Sequence, residues 1–94
     1  MEKENTKEKV IERERLNSLK SILSLLQVQQ ISLFGTHTMY VFLYAHEDCI
    51  SISASFLYGE NEITSVNISS CDDIDSQDKK YEKFLEEIYP ILNV

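Results

Sequence analysis

Three residues in this 94-residue sequence could act together as metal ligands: His46, Cys49 and Cys71. The strand registers predicted from the hydrophobic alternation place His46 opposite Cys49 and Cys49 opposite Cys71. Zinc prefers imidazole and thiolate ligands, and Asp72 or Asp73 could supply a fourth. The same positions allow a disulfide, because opposed residues on neighbouring strands lie about 4.5–5.5 Å apart. The spacing is not specific for zinc, and the sequence favours two free thiols over either alternative.

No other arrangement of residues indicates catalysis. A Cys–His nucleophile needs an orienting acid and an oxyanion hole, and nothing in the sequence marks either. His37 lies roughly 30 Å from His46 if the intervening chain is an extended strand. The acidic stretch from Asp73 lacks the glycine and glutamate of a calcium-binding loop, since Asp78 and Phe84 occupy those positions. We therefore expect no enzymatic activity, no metal and no cofactor.

The composition is that of one small domain, residues 1–94. It is 43% hydrophobic and 27% charged, with two glycines and one proline, which is typical of a globular chain. No apolar run reaches the ~18 residues of a membrane span. The charged start, Met1 to Glu4, is unlike a secretory signal, and two cysteines are few for a secreted domain. We therefore expect a soluble, cytoplasmic protein that does not bind membranes.

The net charge of −7 is unevenly distributed. Residues 21–78 contain no lysine or arginine and eight acidic residues, whereas residues 1–20 hold six basic residues and five glutamates. A nucleic-acid-binding surface needs clustered cations to displace counterions from phosphates. The sequence therefore predicts no direct binding of nucleic acid, and it favours a partner with a basic surface.

Apolar residues at helical spacing predict a helix at each end of the chain. In the first helix the stripe is Leu16, Leu19, Leu23 and Leu26, widened by Ile22 and Leu25. Its charged start, residues 1–15, is expected to project into solvent, to fray, or to pack on something outside the chain. The second helix runs from an N-cap at Asp75 or Ser76, and Pro90 is expected to kink or end it.

The segment between the helices has the period of β-strands. Apolar residues from Ile50 to Phe56 alternate with serines, and a second alternating run ends at Ile68. Pairing Leu57 with Ile63 across a five-residue loop places Ile52 opposite Ile68, so apolar residues meet on one face and Ser/Asn residues on the other. An earlier strand covers residues 38–45, and residues 31–34 are compatible with an additional short strand.

These elements predict an α+β fold. We expect an antiparallel three- or four-stranded β-meander packed on one face by the N-terminal and the C-terminal helix. The order is α-β-β-β-α, or α-β-β-β-β-α if residues 31–34 form a strand.

This element order is similar to that of double-stranded-RNA-binding domains, with Lys79, Lys80 and Lys83 at the start of the last helix. That family holds RNA phosphates with a KKxxK-like helix start. The resemblance covers only these lysines and the element order. Phe84 and Ile88 stand where the family has small residues, and four aspartates precede the lysines where phosphates would bind. The prediction against nucleic-acid binding therefore stands.

The strand at residues 38–45 is apolar on both faces. If His46 pairs with Cys49 across a tight turn, Val41 faces Ala54 in the core. The remaining large side chains then lie on the serine face, away from the helices; we call them the aromatic row: Tyr40, Phe42 and Tyr44. Exposed aromatic residues are enriched at protein interfaces, so this row predicts a partner-binding or homodimer surface.

Two alternatives remain open for the aromatic row. A turn one residue longer would bury these rings and expose Met39, Val41 and Leu43 instead. The first helix or residues 31–34 could also cover the row within the chain.

Acidic residues gather at one end of the predicted meander, because the turn at residues 47–48 and the connection to the last helix share that end. We call this set the acidic pole: Glu47, Asp48, Asp72, Asp73, Asp75 and Asp78. Glu60 and Glu62 lie at the other end. The acidic pole could attract a basic partner or a cation, or it could consist of solvated turn and cap residues.

The sequence therefore predicts a small acidic module that binds and blocks a basic partner protein, such as a toxin or a nucleic-acid-handling protein. Inhibitors, immunity proteins and antitoxins from phages and mobile elements often have this size and charge. The alternatives are a dimeric chaperone or adaptor, and a zinc- or redox-dependent protein that uses His46, Cys49 and Cys71.

Overall fold

The described part of the chain forms two helices and three strands, in the order α-β-β-β-α. The structure, a computed structural model, describes residues 2–33 and 35–92, with the first seven of these as backbone only. The elements are α1 (Glu2–Ser32), β1 (Thr38–Ala45), β2 (Ile50–Tyr58), β3 (Asn61–Ser69) and α2 (Ile74–Leu92). The three strands form one antiparallel sheet in the order β1-β2-β3. The predicted α+β meander is thus confirmed in its three-stranded form.

The optional fourth strand at residues 31–34 is wrong. Ile31 and Ser32 are the last residues of α1, and Phe34 lies outside the described residues. The helix continues this far because its buried stripe does: Leu26 and Leu33, seven residues apart, are both buried. A glycine at positive φ, Gly35 at 86°, follows soon after.

The predicted strand registers are confirmed over most of their length. Val41 pairs with Ala54 in the first hairpin, and Ile52 pairs with Ile68 in the second. The exception is Leu57, which pairs with Glu62 instead of Ile63 because the register shifts after Phe56. This irregularity shortens the turn to Gly59 and its neighbour, and Gly59 adopts the positive φ of 64° that favours glycine.

Both helices pack on the same face of the sheet. The core contains Leu19, Ile22, Leu26 and Leu33 from α1 and its end, Met39, Ile52, Ala54, Phe56 and Ile68 from the sheet, and Phe84 and Ile88 from α2. Leu25, predicted to widen the stripe of α1, is instead half-exposed. It lies about 100° around the helix from its buried neighbour Leu26.

The first half of α1 projects beyond this core. Every residue from Lys9 to Glu14 is exposed, as the sequence predicts for the charged start. A helix of 31 residues is about 46 Å long, and the molecule measures 55 × 22 × 18 Å. The exposed Val10 and Ile11 therefore lie on an extension of α1 rather than in the core.

The N-cap of the last helix lies two residues before the earlier of the two predicted positions. Asp73, not Asp75 or Ser76, is the N-cap, because its Oδ1 accepts a hydrogen bond from the backbone N–H of Ser76 at 2.7 Å. Pro90 lies inside α2, which continues to Leu92. Pro90 and Glu86, whose carbonyl loses its amide donor to the proline, are both exposed.

One buried polar side chain joins the two helices. Gln77 is fully buried, and its Nε2 donates to the carbonyl of Arg15 at 3.1 Å and to that of Asp72 at 3.0 Å. It fixes α1 against the start of α2, the same end of the molecule as the acidic pole.

Candidate functional site

The aromatic row lies on the face of the sheet opposite the helices. Tyr40 pairs with Ser55, Phe42 with Ser53 and Tyr44 with Ser51, so the register that places the rings outside is the correct one. The rings remain 48%, 50% and 47% exposed, respectively, which excludes their burial beneath α1. The predicted alternatives of a longer turn and of cover by α1 are both wrong.

The three rings form one continuous strip. The ring centroids of Tyr40 and Phe42 are 6.1 Å apart, and those of Phe42 and Tyr44 are 6.4 Å apart, within the range of aromatic contacts. The strip is carried by a strand that is paired with β2 along its whole length. These are the properties of an apolar anchor at a protein interface.

The part of the outer face beside the rings is small, polar and uncharged. The row on β2 that faces the rings consists of Ser51, Ser53 and Ser55, and the next row, on β3, consists of Ser65, Asn67 and Ser69. Because these side chains are short, the rings protrude beyond them. A partner can therefore contact the rings without displacing charged side chains.

The acidic pole adjoins the end of the aromatic row. Tyr44 lies three residues before Glu47, which is in the β1–β2 turn. In this turn the backbone N–H of His46 donates to the carbonyl of Cys49 at 2.8 Å. The connection from β3 to α2 lies beside this turn, since Cys71 Sγ is 3.8 Å from the carbonyl oxygen of Asp48. The predicted gathering of these two segments at one end is therefore present.

Two of the six carboxylates at the acidic pole hold the connection in place. Asp72 Oδ2 accepts from Lys80 Nζ at 2.8 Å and from the backbone N–H of Ser69 at 3.0 Å. Partial burial raises the pKa of Asp72, but the Lys80 and Ser69 hydrogen bonds outweigh it and leave this pKa below its ordinary value. The capping hydrogen bond from the backbone N–H of Ser76 likewise lowers the pKa of Asp73.

The other four carboxylates of the acidic pole are Glu47, Asp48, Asp75 and Asp78, and all four are exposed. Lys80, part of the KKxxK-like helix start, is engaged by Asp72. The charge that the pole presents to a partner is therefore negative.

The sequence gives no sign that α1 reaches the acidic pole. A groove of about 640 Å³ separates α1 from the β1–β2 turn, and its lining includes Glu12, Arg15, His46 and Glu47. The packing of α1 against α2, through Gln77 and the Arg15 carbonyl, helps to bring these residues together. Arg15 adds a single positive charge at the rim of the acidic pole.

The two cysteines form a disulfide, so the prediction of two free thiols is wrong. Cys49 and Cys71 are bonded, with their Cα atoms 5.7 Å apart, a usual separation for such a bridge. The bridge ties the residue before β2 to the turn after β3. It also occupies both thiols of the zinc site that was considered as an alternative. Among the described residues, no group of three or more His, Cys, Asp or Glu side chains is arranged to hold a metal ion.

The second histidine belongs to the opposite end of the molecule. The ring of His37 is stacked on Phe56, with centroids 5.4 Å apart, and lies 5.8 Å from Tyr58. The side chains of His37 and Tyr58 adjoin a mainly apolar groove of about 530 Å³ that also contacts Pro90 and Ile91. His37 is thus half-buried and packed, and it is independent of His46 as predicted.

Neither helix, over the residues that the structure describes, combines the length and apolarity needed to cross a membrane. No protein-family model matches the chain. Comparison with curated proteins and with solved structures likewise finds no match. The arguments for function therefore come from the chain's own geometry.

Proposed function

We propose that this protein is a binding module that occupies the surface of a basic partner protein and blocks it, in the manner of an inhibitor, immunity protein or antitoxin. The observation that carries the proposal is the row of three aromatic rings on the outer face, which are in contact with one another, about half exposed and flanked by small uncharged residues. Aromatic residues contribute a large share of binding energy at protein interfaces. The action is binding rather than catalysis.

The acidic pole supports the proposal that the partner has a basic surface. It lies next to the aromatic row in space, so one partner surface can contact both. Opposite charge at the rim of an apolar contact accelerates association and disfavours wrong partners. With a net charge of −7, the protein attracts a cationic surface over about a Debye length, ~8 Å at physiological salt.

The proposed location is the cytoplasm. The Cys49–Cys71 bridge favours an oxidising compartment instead, since structural disulfides persist mainly in such compartments. Alkylation of thiols in freshly lysed source cells, read as a mass increase, decides between them: two labelled cysteines support the cytoplasm, and none contradicts it.

Affinity capture with the immobilised protein tests the proposed function. We expect quantitative mass spectrometry of a source-cell extract to identify an enriched basic protein whose recovery falls as salt is added. The Glu47→Gln/Asp48→Asn variant should capture less of the same protein, because it removes two exposed charges at the end of the aromatic row. Glu82→Gln/Glu86→Gln, which removes two exposed charges from α2 on the other side of the sheet, serves as the control. Recovery that is insensitive to both salt and the Glu47→Gln/Asp48→Asn variant would contradict the role of the acidic pole.

A second candidate, a dimeric adaptor, is favoured by a different feature. Strand β1 lies at the edge of the sheet, and an edge strand can pair with another chain.

A further inference from the structure

Strand β1 is an edge without the usual protection against pairing. Its eight residues, Thr38–Ala45, include no charged residue, proline or glycine. Proteins normally protect such edges with lysine, proline, a bulge or a covering segment. The register of β1 against β2 is regular from Thr38 to Ala45, so no bulge twists it away. An extended strand of this length presents about 26 Å of backbone.

The direction of the free hydrogen-bonding groups follows from the turn. The N–H of His46 points toward β2, where it donates to Cys49, and backbone groups in an antiparallel pair alternate in direction. The odd-numbered residues of β1 therefore direct their N–H and C=O groups to the open edge. Gln30 Nε2 donates to the Met39 carbonyl at 2.8 Å, consistent with this alternation. Within the described part of the chain, no hydrogen bond engages the edge groups of Val41, Leu43 and Ala45.

Both faces of this free stretch are apolar and exposed. Phe42 and Tyr44 lie on the outer face. On the helix side Leu43 is 57% exposed, whereas Met39 near the other end of β1 is buried. A partner that pairs with this edge would therefore bury apolar side chains above and below the new hydrogen bonds. An uncharged strand that is apolar on both faces, as β1 itself is, fits such an edge.

We propose that the occupant of this edge is a second copy of the chain, with the two β1 strands antiparallel about a two-fold axis at Phe42. Edge-directed residues must pair with edge-directed residues, so odd positions face odd positions. Among the allowed registers, this one places Phe42 opposite the partner's Phe42 and Tyr40 opposite the partner's Tyr44. On the helix side it places Val41 opposite the partner's Leu43. All six rings then lie on one face of a six-stranded sheet.

Charge also favours the antiparallel arrangement. Each copy carries a net charge of −7, so a dimer must keep its acidic groups apart. Antiparallel pairing places the two acidic poles at opposite ends of the shared edge. In this register Glu47 lies at the level of the partner's His37, while the paired strands contribute no charge. The dimer needs only the edge of β1, so it goes beyond the proposed blocking function. That function can hold even if the dimer does not form, whereas the second candidate, a dimeric adaptor, would fail with the dimer.

The molecular mass in solution tests the pairing, measured by sedimentation equilibrium over a range of concentrations. We expect the wild-type chain to approach twice its monomer mass of 10.9 kDa and Leu43→Lys to remain a monomer, since a charge at an exposed edge position blocks pairing. Leu25→Lys is the matched control: Leu25 is also half-exposed but lies on α1, and this variant should still dimerise. A monomeric wild-type chain, or a Leu43→Lys variant that dimerises, overturns the proposal.

Cysteine cross-linking tests the register. Residues that face each other without hydrogen bonds have Cα atoms about 4.5 Å apart, close enough for a disulfide. Phe42→Cys should therefore form a covalent dimer on non-reducing gels, whereas Tyr44→Cys should not, because its own copy lies several residues away. Cross-linking of Tyr44→Cys without Phe42→Cys contradicts this register. Retention of the captured basic partner by a monomeric Leu43→Lys variant would separate the proposed function from the dimer.

Discussion

Replacing Phe56 with alanine is expected to lower the free energy of unfolding by about 3–5 kcal/mol, the usual cost of removing a buried phenylalanine. Phe56 is fully buried on the central strand, and its ring stacks on His37. A domain of this size has a stability on the order of 5–15 kcal/mol. The variant should therefore lose a large share of its stability and unfold at a clearly lower urea concentration than the wild-type chain.

Phe42→Ala provides the matched comparison, since the substitution is the same and the ring is half exposed on β1. We expect its effect on stability to be within about 1 kcal/mol, because little area leaves the solvent when this ring packs. Urea denaturation followed by circular dichroism measures both, at a concentration where each variant is monomeric. Equal destabilisation by the two substitutions would show that the Phe42 ring belongs to the core and not to a binding surface.

Loss of the Cys49–Cys71 bridge is expected to lower the free energy of unfolding by about 2–4 kcal/mol, because the bridge restricts the unfolded chain. It joins residues 22 positions apart and encloses the whole β2–β3 hairpin. Denaturation with and without a phosphine reductant measures the loss. The Cys49→Ser/Cys71→Ser variant is the control, and its stability should be low and unaffected by reductant. A wild-type stability that is indifferent to reductant would show that the bridge contributes nothing.

The strand registers could be predicted because apolar and polar residues alternate strictly on β2 and β3. A slip by one residue would expose Ile52 and bury serine, so the pattern allows one solution. The tight turn at Glu47 and Asp48 extends the same logic to β1. The aromatic row follows directly from these registers.

Other features depend on interactions that the sequence pattern does not encode. Ile31 looks like part of a strand by its apolar neighbours, but α1 continues through it. Asp73 rather than Asp75 is the N-cap because the turn after β3 ends at Asp73, and the helix begins at the next residue. The sequence places Cys49 opposite Cys71 but does not decide whether the thiols react. The approach of Arg15 to the acidic pole depends on packing between α1 and α2, which are distant in sequence.

The central claim is that the outer face of the sheet binds a partner, and one pair of variants tests it most directly. Tyr44 on the aromatic row and Tyr89 on α2 are equally exposed, at 47% each. Titration of the captured partner against Tyr44→Ser and Tyr89→Ser by calorimetry compares the two positions. The proposal predicts a loss of roughly 30-fold in affinity for Tyr44→Ser, equivalent to about 2 kcal/mol at an interface hot spot, and no more than about a 2-fold change for Tyr89→Ser. Equal effects at the two tyrosines, or none at Tyr44, would contradict it.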